Sequence, residues 1–178
     1  DMNHIGGLPV FFSRLSPIVL CTLPVLKLGQ MCLFDHFANA EAEGTTSDIP
    51  YSIDALDNCL SNAYPVKYNH LFRVPTPEGR SAIQVCAYPS GRSIGGACWR
   101  ICAGSKEVLY MMDVNLRKEV VVEGAPLDVY PRYPSLLICE GAAMHAASAT
   151  GRKRRDKEDG MASLLSLVKE TVRSEGNV

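Results

Sequence analysis

Ser90-Gly91-Arg92-Ser93-Ile94-Gly95-Gly96 runs directly into Ala97-Cys98-Trp99, and the reading of this stretch decides the fold. Before it, Ser81 to Tyr88 alternates, with Ile83, Val85 and Ala87 on one face. After it, Ala97 to Ala103 places Cys98, Arg100 and Cys102 on one side and Trp99 and Ile101 on the other. A period of two on both flanks makes the stretch a glycine-bearing loop between two strands. It is not a nucleotide-binding loop, because no Gly-Lys-(Ser/Thr) follows the Gly95-Gly96 pair. Arg92 sits inside it. A guanidinium offers no lone pair and stays protonated, so it repels a metal ion where a histidine would bind one.

Outward from the loop, the chain changes character twice. Asp1 to Leu15 reads as a turn running into a helix, with Leu8, Phe11, Phe12 and Leu15 at helical spacing. Ile18 to Cys21 is a short strand between Pro17 and Pro24. A helix is expected from Pro24, a residue suited to a first helical position, to about Ala42, stopping near Gly44. Ser52 can cap a helix with Ile53, Leu56, Cys59 and Leu60 on its apolar face. Strands follow at His70 to Val74, at the two segments flanking the loop, at Val108 to Met112, at Glu119 to Val122 and at Leu136 to Glu140. Pro75 to Gly79 and Gly104-Ser105 are turns. The Leu136 run is apolar on both faces and is expected to be central in its sheet. Ser163 to Arg173 is an amphipathic helix. Helices, then strands with short turns, then strand and helix give an α+β class, with helices on sheet faces.

Bulk properties narrow the function. At 178 residues the chain has room for one ordinary domain, and its apolar content of 47% suits a packed core. The net charge of -1 creates no global field to recruit nucleic acid, so any such contact needs a local patch. No apolar run approaches the ~18 residues of a membrane span. The seven cysteines are odd in number and lack Cys-x-x-Cys spacing, so they read as small core hydrophobes in a reducing compartment, cytosol or nucleus. The opening at Asp1, without Met or a signal-peptide pattern, is what a cut from something longer would give.

Four separated pieces fit one template in order. Asp1-Met2-Asn3-His4-Ile5-Gly6-Gly7-Leu8-Pro9 matches the end of His-x-His-x-Asp-His and the (Cys/Ile/Leu)-Gly-Ala-Leu-Pro that follows it. Thr22-Leu23-Pro24-Val25-Leu26-Lys27-Leu28-Gly29-Gln30-Met31 is the second piece, and Gly91-Arg92-Ser93-Ile94-Gly95-Gly96 the third. Val108-Leu109-Tyr110-Met111-Met112-Asp113-Val114-Asn115 is the fourth. With Leu136-Leu137-Ile138-Cys139-Glu140 and the Arg154-Arg155-Asp156 junction beyond them, these pieces resemble the metallo-β-lactamase/β-CASP family of RNA nucleases. Within that family they resemble the non-catalytic branch.

The resemblance implies a partial metallo-β-lactamase-like fold, an αββα sandwich. It assigns residues 1–140 to that domain, with its start missing, and 141–178 to the junction and first helix of a β-CASP-like region. In active members two zinc ions ~3.5–4 Å apart polarise a phosphate and generate hydroxide, held by imidazole and carboxylate ligands from several strand ends. By the alignment, His4 stands at the final histidine, Asn3 at the aspartate, Asp1 at the middle histidine, Arg92 at the loop histidine, Asp113 at the bridging aspartate and Glu140 at the acidic position opening the β-CASP region. His4 and Asp113 keep usable types; Asn3 is a weak donor; Asp1 has replaced an imidazole; Arg92 would cost several kcal/mol against a divalent ion even at an effective dielectric near ~20.

The implied outcome is no catalytic residue and no zinc, with Arg92 pairing with Asp113 or Asp1. The implied role is a nuclear, catalytically inactive scaffold in the complex that cleaves and polyadenylates pre-mRNA 3′ ends. Its implied partners are a homologous endonuclease subunit, a symplekin-like scaffold and pre-mRNA, with no membrane. Arg152, Lys153, Arg154 and Arg155 are the candidate contact for RNA or a partner, although the acids after them also suit a solvated loop entering a helix. Two alternatives stand beside this: an active metal-dependent RNA endonuclease, and a pseudo-nuclease of another assembly such as the Integrator complex. His36, His70 and His145 fit no ligand spacing. Cys139 beside Glu140 reads as packing, since no histidine is placed to activate it.

Overall fold

The structure, a computed structural model, describes residues 2–75, 82–140 and 155–174, with side chains at all of these except Asn3 and 155–159. Helices and sheets are both present, and the class is α+β. The chain divides into two compact units, Asp1–Cys139 and Glu140–Val178.

In the first unit the expected opening turn is itself helical. α1 (Met2–Ile5) and α2 (Leu8–Leu15) are separated by Gly6-Gly7, and a Cβ on Gly6 would lie 2.7 Å from the Met2 carbonyl oxygen. β1 (Val19–Thr22) feeds straight into α3 (Leu23–Glu43), where Pro24 occupies the first turn. That helix ends at Gly44, whose φ of 72° is the left-handed cap glycine favours. α4 (Ile53–Ser61) is capped by the Ser52 hydroxyl, which accepts from the Ala55 N–H at 3.2 Å.

β2 (Ala63–Val66) pairs parallel with β1, from Val19 opposite Ala63 to Thr22 opposite Val66. α3 and α4 form the crossover a parallel pair requires. The sequence reading missed β2 because it follows α4 with almost no turn and contains Pro65, which is tolerated on an edge strand. Leu33 and Leu56, both fully buried, close the core here with Ile5 and Leu60.

The second sheet has the order β3 (Leu71–Val74), β4 (Ile83–Pro89), β5 (Ala97–Ala103), β6 (Lys106–Met111), β7 (Leu136–Cys139). Its first three pairings are antiparallel and the last is parallel. Tyr88 faces Cys98, and Arg100 faces both Cys86 and Leu109. That register puts Cys86, Tyr88, Cys98 and Leu109 into one cluster with Ala125 and Tyr130. On the same face Arg100 donates to Glu107 through Nε (2.8 Å) and Nη2 (2.5 Å), so the guanidinium is neutralised where it is part-buried.

Three expectations are corrected. Glu119–Val122 is not a strand; Glu119 N–H donates to the Val122 carbonyl at 3.0 Å, and Val120 is 95% exposed at the tip of a turn. The β-branched run has strand propensity but, among the described residues, no neighbouring strand to pair with. β7 is at the sheet edge, not its centre, and all four of its residues are exposed. Cys32 and Cys139 are exposed, while Cys59, Cys86 and Cys98 are buried; all seven are free thiols. In the second unit α5 (Arg155–Arg173) begins eight residues before the expected Ser163, and Met161, Leu164, Leu165, Leu167 and Val172 are exposed on it.

The 90–96 loop is sewn to three other segments. The Thr22 hydroxyl donates to the Gly95 carbonyl at 2.6 Å, and this bond is buried. The Asn115 N–H donates to the Ser90 carbonyl at 2.9 Å, and the Ala125 N–H donates to the Asn115 carbonyl at 2.8 Å. Tyr68 and Tyr130 donate their hydroxyls to the carbonyls of Gly96 (2.8 Å) and Pro89 (2.5 Å). Gly95 has φ of 81°, and a Cβ there would lie 2.8 Å from both Thr22 Oγ1 and Pro24 Cβ.

Two stability outcomes are expected. Gly95→Ala adds overpacking to left-handed strain and should cost about 2–5 kcal/mol, whereas Gly44→Ala, with open space around it, should cost only the strain of about 1–2 kcal/mol. Leu56→Ala should cost about 2–5 kcal/mol through the cavity it leaves. Urea denaturation midpoints of the three variants check the order; equal midpoints for the two glycine variants would refute the close packing at Gly95.

Candidate functional site

His4 lies in α1, just before the Gly6-Gly7 turn. Asp113 lies two residues past the end of β6, with φ of 51°, a conformation Asp tolerates better than most residues. Their side chains meet: His4 Nε2 is 2.5 Å from Asp113 Oδ2. These are the two positions that keep a ligand-competent residue type, and they are turned on one another. Both are solvated, at 61% and 42% exposure, so the pair contributes about 0–1 kcal/mol to stability.

Arg92 is held by its backbone and free at its tip. Its N–H lies 3.5 Å from the Ser90 hydroxyl oxygen, and its side chain is exposed. The expected pairing of Arg92 with Asp113 does not occur: the partner of Asp113 is His4, and Arg92 has no side-chain ion pair among the described residues. At Gly91, with φ of 69°, a Cβ would strike the Asn115 carbonyl and the Ala125 N–H, so the chain is pressed against segment 115–125 there, while the Arg92 side chain is exposed.

The remaining positions separate. Asp1, Arg152, Lys153 and Arg154 lie outside the described residues, as do the side chains of Asn3 and Arg155. Glu140 is exposed and directly follows β7. Among the described residues no group of three His, Cys, Asp or Glu side chains converges as a metal set would. Burial pushes the thiols of Cys21, Cys59 and Cys98 up, which keeps them protonated and unsuited to ligation or nucleophilic attack. An open cleft of about 280 Å³ lies elsewhere, between Met2, Gly6, His36, Asp48 and Tyr51.

Sequence reasoning missed the residues that shape the loop. Asn115 is a hub: besides its two backbone bonds, its Nδ2 donates to Glu119 Oε1 (3.3 Å) and its Oδ1 accepts from the Arg117 N–H (3.1 Å). Tyr130 packs its ring 5.2 Å from that of Tyr88, and burial first, then its hydrogen bond with Cys98, pushes its phenol far above the usual range. It remains a neutral donor. The bond from Tyr130 to Pro89 spans 41 residues of sequence, and no spacing rule points to it.

A family model for the metallo-beta-lactamase superfamily domain matches residues 1–135. A probable cleavage and polyadenylation specificity factor subunit 2 from Caenorhabditis briggsae is 33% identical over 99% of this chain and 20% of its own length. A protein so named from Drosophila melanogaster is 33% identical over 100% of the chain and 22% of its own length. The cleavage and polyadenylation specificity factor subunit 2 of Arabidopsis thaliana is 29% identical over 100% of the chain and 23% of its own length. The chain thus spans about a fifth of the length of these relatives. With a family match over three-quarters of its residues and the α+β architecture above, the chain belongs to the metallo-β-lactamase superfamily.

Proposed function

We propose that this chain is a catalytically inactive metallo-β-lactamase-like domain, serving as a scaffold in the nuclear machinery that cleaves and polyadenylates pre-mRNA 3′ ends. The observation that carries the reading is Arg92. A permanent cation stands where an active member needs a neutral imidazole, and the two remaining donor types, His4 and Asp113, are spent on each other. The donor set therefore does not fit a two-zinc centre. The names of the relatives support a role in mRNA 3′-end processing.

In this reading the domain contributes surface. A homologous endonuclease subunit and a symplekin-like scaffold are the proposed protein partners, with pre-mRNA within reach of the Arg152–Arg155 segment. No helix among the described residues is long and apolar enough to cross a membrane.

Zinc stoichiometry by elemental analysis of the purified full-length protein tests the proposal, with an Arg92→His variant beside it. The expected result is near-zero zinc in the wild type and a gain towards roughly one ion per chain in the variant, as three donors begin to converge. One or two tightly held zinc ions in the wild type would overturn the scaffold reading in favour of a metal-dependent RNA hydrolase. Co-purifying subunits of a different RNA-processing assembly would move the scaffold elsewhere.

A further inference from the structure

Charge is spread unevenly along this chain. Residues 28–66 hold six acids, Asp35, Glu41, Glu43, Asp48, Asp54 and Asp57, and neither lysine nor arginine, although the whole chain carries only -1. All 18 Lys and Arg lie outside that stretch. The six acidic residues are exposed, and none has an ion pair among the described residues. Where they accept side-chain hydrogen bonds the donors are neutral: the Asn39 amide for Asp35 and the Ser47 hydroxyl for Asp48. A local negative field therefore surrounds α3, α4 and the segment between them.

The open cleft lies within this field. Met2 and Tyr51 form apolar walls, and both pack on the core of Ile5, Leu33, Leu56 and Leu60. Ala40 and Ile49 add apolar surface, and Asp48 lines the cleft directly. The turn on that side is fixed by its own backbone: the Thr45 N–H donates to the Ala40 carbonyl at 2.8 Å and the Asp48 N–H to the Thr45 carbonyl at 2.9 Å. The cleft is thus preformed, which lowers the cost of filling it. Its volume of about 280 Å³ falls just below the ~300–1,000 Å³ of small-molecule pockets, so it suits one large side chain better than a cofactor.

The carboxyl end of α3 strengthens the charge. His36, Ala40 and Glu43 fall on one helical stripe, and the first two line the cleft. The last turn holds Glu41 and Glu43 and no base, at the end where the helix dipole is already negative. Acids placed there oppose the helix that carries them. A cation supplied from outside relieves that repulsion, and this selects the occupant of the cleft.

We propose that the cleft docks a basic segment of a protein partner. One apolar side chain of that segment sits between Met2 and Tyr51, and the lysines or arginines flanking it lie over Asp48 and Glu43. The proposal goes beyond the scaffold reading, and neither Arg92 nor zinc content bears on it.

The test is fluorescence anisotropy of a labelled heptapeptide, a central leucine between two runs of three lysines, with the purified full-length protein. Asp48→Asn and Glu43→Gln should each weaken binding about three- to fivefold, as expected for charges at a solvated rim. Asp128→Asn, which removes the same charge from the connection between β6 and β7, should leave it unchanged. A peptide with serine for leucine should bind about tenfold more weakly. Added salt should weaken both peptides and leave the ratio between them unchanged, because screening acts on the rim and not on the anchor. Glu43→Gln removes a charge the helix end disfavours, so its thermal midpoint should stay level or rise while its affinity falls; a residue serving structure alone would lower the midpoint.

Equal affinity of wild type and Asp48→Asn would overturn the proposal, and so would an equal loss in Asp128→Asn, which reports bulk charge. Equal binding of the leucine and serine peptides would remove the cleft from the argument and sink it as well. Absence of saturable binding to the full-length wild type means that the cleft is filled from the same polypeptide or takes no basic segment, and either defeats the idea. A dimer seen by light scattering that dissociates in Asp48→Asn would give the cleft to a second copy instead. None of these outcomes touches the zinc measurement, so failure here and failure of the scaffold reading are told apart.

Discussion

The buried bond from the Thr22 hydroxyl to the Gly95 carbonyl joins the two halves of the first unit. Thr22 is the last residue of β1 and immediately precedes α3; Gly95 closes the loop between β4 and β5. A buried carbonyl without a donor costs about 1–3 kcal/mol, so this junction holds only if the strand end and the loop arrive together. Gly95 makes that approach possible because it has no Cβ to strike Thr22 or Pro24. Asn115 and Tyr130 extend the constraint to β6 and to the long connection before β7. The site residues are positioned by this stitching and not by their own contacts.

That division means the side chain at position 92 can be replaced without harming the fold. Among the described residues, the bonds that hold the 90–96 loop are made by backbone groups and by hydroxyls. The Arg92 side chain holds nothing, so substitution there changes the charge the site presents and leaves the frame intact. Gly91 and Gly95 have no such freedom: each sits at positive φ against backbone or fixed side-chain atoms. Framework and chemistry thus occupy different positions of one seven-residue loop.

Much of this was legible in the sequence, for stated physical reasons. Period-two alternation announced β4 and β5, and glycine and proline placement announced both ends of α3. Ser52 announced α4 through its cap. The failures are equally specific. Glu119 to Val122 carries strand propensity, but pairing is a tertiary fact and no partner strand is present for it among the described residues. β7 has the apolar run of a buried central strand, yet within this chain it is an edge; propensity reports what a strand would bury, not what is there to bury it. The mutual capture of His4 and Asp113, and hence the isolation of Arg92, depends on a loop path that no local pattern encodes. Only the residue types at the site could be read in advance, not which of them would touch.

A metal centre in this superfamily does mechanical work as well as chemical work, because ions bridging several loops add binding energy to folding. A member that gave up its ions would need other ties between the same loops. In this chain hydrogen bonds tie these loops: the Asn115 N–H binds the Ser90 carbonyl, Tyr130 binds Pro89 at the end of β4, and Thr22 and Tyr68 bind Gly95 and Gly96. They are worth about 1 kcal/mol each as hydrogen bonds, and more where the acceptor is buried. The His4–Asp113 pair is too exposed to carry such a load. The result is a loop whose shape rests on neutral hydrogen bonds.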